Sequence, residues 1–76
     1  MNKARRAKLN ALINALTELK SDVELLQEEE QDAFDNLPES IQETDRGEAM
    51  QDAADSMSDA MDLIDEAVEA LETAME

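Results

Sequence analysis

A chain of 76 residues with 21 acids, 6 bases and a formal net charge of −15 holds one domain at most and offers little to fill a core. It has no Cys, His, Trp or Tyr, which excludes disulfides, thiolate or imidazole metal sites and the usual nucleophile–base pairs. The 42% hydrophobic content argues against simple disorder, and the acidic excess repels nucleic acid and anionic membrane while attracting basic protein surfaces.

The charge is unevenly placed. Lys3, Arg5, Arg6 and Lys8 open the chain, and from residue 9 onward only Lys20 and Arg46 oppose all 21 acids. The basic start followed by LNALINAL superficially resembles a signal peptide. Asn10, Asn14, Thr17 and Glu18 interrupt the apolar stretch, however, and no small-residue cleavage site follows. No apolar run approaches membrane-spanning length, so a cytoplasmic protein is expected.

A first helix is expected over about residues 4–33, on heptads in which Leu9, Leu16 and Val23 share one position. Leu12, Leu19, Leu26 and Ala33 fall three residues later, and Ile13 extends the seam at one edge. The seam fails at Glu30, within the run Glu28-Glu29-Glu30, so this end is expected to fray or point outward. Residues 34–44 form the connection. Pro38 disfavours a helical Leu37, Asp35 or Asn36 can cap a short turn, and Ser40 with Glu43 has capping-box spacing. Phe34, Leu37 and Ile41 should plug the end of the bundle.

The second helix, about residues 45–74 and capped by Thr44 or Asp45, carries the clearest periodicity. Met50, Met57, Ile64 and Leu71 recur at one heptad position and Ala53, Ala60, Ala67 and Ala74 three residues later. Ala54, Met61, Val68 and Met75 widen the stripe. The methionines read as core and not as a flexible partner groove. Two helices of similar length on a short connection make an antiparallel hairpin, so the fold class is all-α. The hairpin brings the basic start beside Glu66, Glu69, Glu72 and Glu76, which should neutralise it. Each seam spans three heptad positions, more than one neighbour can cover. A homodimer forming a four-helix bundle is therefore expected, with Leu25 and Leu63, outside the seams, as further dimer or partner contacts.

Opposite the seam of the second helix lies a carboxylate ladder: Asp52, Asp55, Asp59, Asp62, Glu66 and Glu69, with Asp65 beside it. Steps of three and four residues space these charges by about 5 Å along the axis. One ladder is sparser than a duplex, which carries about one phosphate per 1.7 Å of axis. Dimerisation and the acids of the first helix bring the density closer. The plain alternative is a solvated outer face. Against it stands the absence of Lys and Arg after Arg46, since ordinary bundle surfaces mix both signs. No segment has the oxygen-ligand pattern of a calcium loop, so neither metal nor cofactor is expected. Ser40, Ser56 and Ser58 lack an activating base and a slim bundle has no cleft, so no enzyme is expected either.

The central block, Phe34-Asp35-Asn36-Leu37-Pro38-Glu39-Ser40 and then Arg46-Gly47-Glu48-Ala49-Met50, lies between a basic-leucine helix and an Ala-rich acidic helix. In this it resembles a group of small acidic helical proteins of bacteriophages and integrated mobile elements, largely uncharacterised. The resemblance spans essentially the whole chain and implies no catalytic residues. It implies an accessory protein in the cytoplasm of a bacterial host, inhibiting a defence or nucleic-acid-handling protein by DNA mimicry. The partner would be a basic, DNA-binding protein and not nucleic acid itself. The alternative is a structural or adaptor coiled-coil module that pairs with another helical protein.

Overall fold

The computed structural model describes every residue from Met1 to Glu76. Three helices follow one another: α1 (Lys3–Asp35), α2 (Glu39–Gln42) and α3 (Asp45–Ala74). No helix is long and apolar enough to cross a membrane. α1 and α3 pack along their length as a hairpin, in a body 58 × 15 × 12 Å.

Local chemistry sets the helix ends. Asn2 caps α1, its Oδ1 accepting the Arg5 backbone N–H at 2.8 Å. α1 then runs unbroken through the Glu28–Glu30 cluster, and Glu30 is half-buried. The expected fraying does not occur, because Gln31, the next residue, and Phe34, one turn on, are anchored against the rest of the chain. Asp35 and Asn36 finish α1 and do not cap a following turn; the Asn36 N–H donates to the Asp32 carbonyl at 3.0 Å. Pro38 precedes the single turn α2, where its fixed φ is compatible with helix entry. Ser40 lies inside α2, and no hydrogen bond joins it to Glu43, so the capping box does not form. The Thr44 hydroxyl donates to the Ile41 carbonyl, leaving α3 without a side-chain cap.

Gln42 closes the connection. Its Nε2 donates to the carbonyls of Phe34 and Leu37, at 3.1 and 3.2 Å; the Phe34 carbonyl also accepts the Leu37 N–H at 3.0 Å, so the side chain ties the end of α1 and the connection to α2. Phe34, Leu37 and Ile41 are half-buried at this end of the hairpin.

The seam between α1 and α3 is rotated from the expected one. On α1 the half-buried residues are Leu9, Leu16, Val23 and Glu30 in one row and Ile13, Lys20, Gln27 and Phe34 in the other, with Gln31 beside them. Leu12, Leu19 and Leu26 do not enter it: they are 55, 55 and 56% exposed. On α3 the row Met50, Met57, Ile64 and Leu71 packs inward beside Ala54, Met61, Val68 and Met75. Ala53, Ala67 and Ala74 are exposed, and only Ala60 of their row is half-buried. The reason is volume. Met61 and Val68 bury more apolar area than Ala60 and Ala67, so α3 turns its bulkier row to α1 and the Leu row swings out. Ala54 is the one fully enclosed hydrophobic residue.

Candidate acidic interaction surface

Rows seven residues apart run nearly parallel to a helix axis, so the helical wheel divides the hairpin surface into two faces and two edges. Side-chain hydrogen bonds mark one face. Gln31 Nε2 donates to Gln51 Oε1 at 3.1 Å, and Gln51 Nε2 returns the bond to Gln31 Oε1 at 3.0 Å. Each amide also donates to the aspartate one turn further on, Gln31 to Asp35 at 3.1 Å and Gln51 to Asp55 at 3.0 Å. On the same face Lys20 Nζ donates to both carboxylate oxygens of Asp65 at 2.8 Å, the only ion pair in the molecule. This polar face fixes the register of the two helices.

The ladder lies beside it. Asp52, Asp59 and Glu66 share the edge of α3 that points away from α1. Asp55, Asp62 and Glu69 lie between that edge and the polar face. All six are exposed and none is in an ion pair. Asp65 differs, because it is committed to Lys20. The hydrogen bond to Asp65 raises the Lys20 pKa above 10.5, with Asp65, Glu24 and Asp62 adding favourable charge against partial desolvation. The basic start makes no ion pair with Glu66, Glu69, Glu72 or Glu76, so the expected neutralisation at that end is absent as contact. The charges there are spread through solvent along separate exposed side chains.

The remaining face is apolar. Leu12, Leu19 and Leu26 on α1 and Ala53, Ala60, Ala67 and Ala74 on α3 lie on the same side of the hairpin, opposite the Gln31–Gln51 pair. Leu63, 63% exposed, borders the Ala row. None of the acids of α3 falls in these rows. Leu25, 60% exposed, stands off this face on the outer side of α1. The Gln–Asp spacing on both helices (31 and 35, 51 and 55) was the available signal for the amide pair.

No cavity opens on the hairpin, and no three carboxylates converge as a metal site would require. Compared with protein families, curated proteins and solved structures, the chain matches none. What this surface can do chemically is present a dense, unneutralised array of carboxylates to a cationic partner.

Proposed function

We propose that the chain is a non-enzymatic binding protein of phage-accessory type, whose carboxylate ladder occupies a basic surface that otherwise holds nucleic acid. It would act as a homodimeric four-helix bundle, which doubles the charge array. The observation that carries this reading is the ladder itself: Asp52, Asp55, Asp59, Asp62, Glu66 and Glu69 are all exposed and free of any cation. A solubilising face needs no such sorting, because interspersed Lys would serve solubility and add helix-stabilising pairs.

The test uses the immobilised protein as bait for a bacterial lysate at low salt. Duplex DNA should release what it captures, and a variant with Asp55, Asp59, Asp62 and Glu66 changed to Asn or Gln should fail to capture it. Retention by the neutralised variant in ~150 mM salt, with no competition from DNA, rules the reading out.

The second reading is the adaptor module, favoured by the exposed Leu12, Leu19 and Leu26. It predicts the reverse pattern: capture survives neutralisation of the ladder and is abolished by polar substitution of these leucines, or at Leu25 or Leu63.

A further inference from the structure

The hairpin is too thin to be a finished fold. Its radius of gyration is 17.2 Å, against about 11 Å for a compact chain of this length. Its accessible surface is 5494 Å², against about 4,600 Å² for a globular chain of the same mass. The excess, about 900 Å², is close to the ~800 Å² that each partner buries in a stable protein interface. The exposed large hydrophobics supply such a patch: Leu12, Leu19 and Leu26 form one stripe that faces the same way as the Ala row and Leu63.

Charge decides what covers it. Immediately outside the Leu stripe on α1 runs the row Lys8, Ala15, Asp22 and Glu29, a cation at one end and acids at the other. We propose that a second copy of this chain covers the apolar face, with α1 antiparallel to α1 and α3 antiparallel to α3 of the copy, the two connections at opposite ends. This deepens the dimer of the reading above without depending on its partner. A two-fold axis near Leu19 then sets Lys8 opposite Glu29 of the second copy and Ala15 opposite its Asp22, twice by symmetry. Leu12 meets Leu26 of the copy, and Leu19 meets itself.

The same axis serves α3. The Gln31–Gln51 and Lys20–Asp65 pairs put Leu19 level with about Ile64, so the axis passes close to Leu63. Ala60 then lies against Ala67 of the copy and Ala53 against its Ala74, small against small, which allows the close helix approach that the wide Leu contact on the other side does not need. The other face-to-face dimer sets α1 on α3 of the copy, with both connections at one end. It brings Asp22 and Glu29 to the side of the copy that carries Asp52 and Asp59, with no cation to meet them. A basic helical partner is less suited than a copy, because nothing acidic lies within the α3 half of this face.

The chain has no cysteine, so single introduced thiols report the geometry directly. The wild type should sediment at about twice its 8.4 kDa mass at micromolar concentration. Under mild oxidation Leu19→Cys should form a covalent dimer in high yield, whereas Lys8→Cys alone should not. Mixed Lys8→Cys and Glu29→Cys chains should cross-link to each other. Lys8→Glu should weaken dimerisation at least tenfold, and adding Glu29→Lys should restore it, a rescue that a merely misfolded variant does not show. A folded, helical monomer at these concentrations overturns the proposal. So does a dimer in which Leu19→Cys stays uncross-linked while Leu19→Cys and Ala60→Cys chains join, because that is the arrangement with both connections at one end. Neither outcome depends on whether the ladder binds a basic protein.

Discussion

At Gly47 the end of α2 lies so close to α3 that a Cβ would collide with the Gln42 backbone, its C and Cα atoms only 2.6 Å away. Helix propensity alone favours Ala over Gly by about 1 kcal/mol. The collision is with backbone, which cannot swing aside, so Gly47→Ala should lose more than it gains. A net destabilisation of roughly 1–3 kcal/mol is expected, read as a fall in Tm by circular dichroism. A stabilised variant would show that α2 is not seated on α3. The Gln31–Gln51 pair makes a second residue-scale prediction. Its reciprocal bonds are partly shielded from water, so a Gln31→Ala, Gln51→Ala double-mutant cycle should give a coupling of about 0.5–1.5 kcal/mol. Lys20 supplies the pH dependence. Its pKa is raised in the fold by Asp65, so its contribution is complete below the ordinary lysine value of 10.5 and disappears as pH rises through the higher folded value. The stability difference between wild type and Lys20→Met should therefore hold steady from pH 7 to 10 and shrink above 10.5. A difference that grows in that range would contradict the ion pair.

Helices α1 and α3 are legible in the sequence because heptad periodicity and the Pro38 break are strong local signals. Which rows face inward is not. On α1 taken alone, Leu12, Leu19 and Leu26 are a better inner row than Ile13, Lys20, Gln27 and Phe34. The choice depends on α3, where Met61 and Val68 outweigh Ala60 and Ala67, and on polar pairs that form only when both helices are present. The acid ladder is legible as a stripe with Asp65 beside it, but the commitment of Asp65 to a cation is not, since its partner Lys20 lies 45 residues away. The rotation moves the sensitive alanine as well. Ala54→Leu should destabilise the hairpin by roughly 1–3 kcal/mol through overpacking, because Ala54 is fully enclosed. Ala67→Leu, on the exposed row, should leave the helical content of a dilute sample unchanged. Equal effects of the two substitutions would mean that the inner rows are misassigned.

For the whole molecule, the segregation of charge and apolar surface gives its two proposed interfaces opposite responses to salt. Each chain carries a formal net charge of −15 and a single exposed ion pair, so repulsion between copies is long-ranged while the apolar contact is not. The Debye length falls from about 20 Å near 20 mM salt to about 8 Å at 150 mM. That range removes most of the repulsion across a bundle of this thickness. Two Lys8–Glu29 contacts also weaken, but exposed pairs of this kind contribute about 0–1 kcal/mol each, little beside the repulsion between two chains of formal net charge −15. Dimerisation should therefore tighten with salt and Tm should rise, whereas binding of the ladder to a basic surface should weaken over the same range. Sedimentation and calorimetry on one preparation, at 20 and 150 mM salt, measure both slopes. If dimerisation weakened with salt as steeply as partner binding, charge and not the Leu and Ala rows would be holding the copies together. The division of the molecule into an apolar assembly face and an acidic presenting edge would then be wrong.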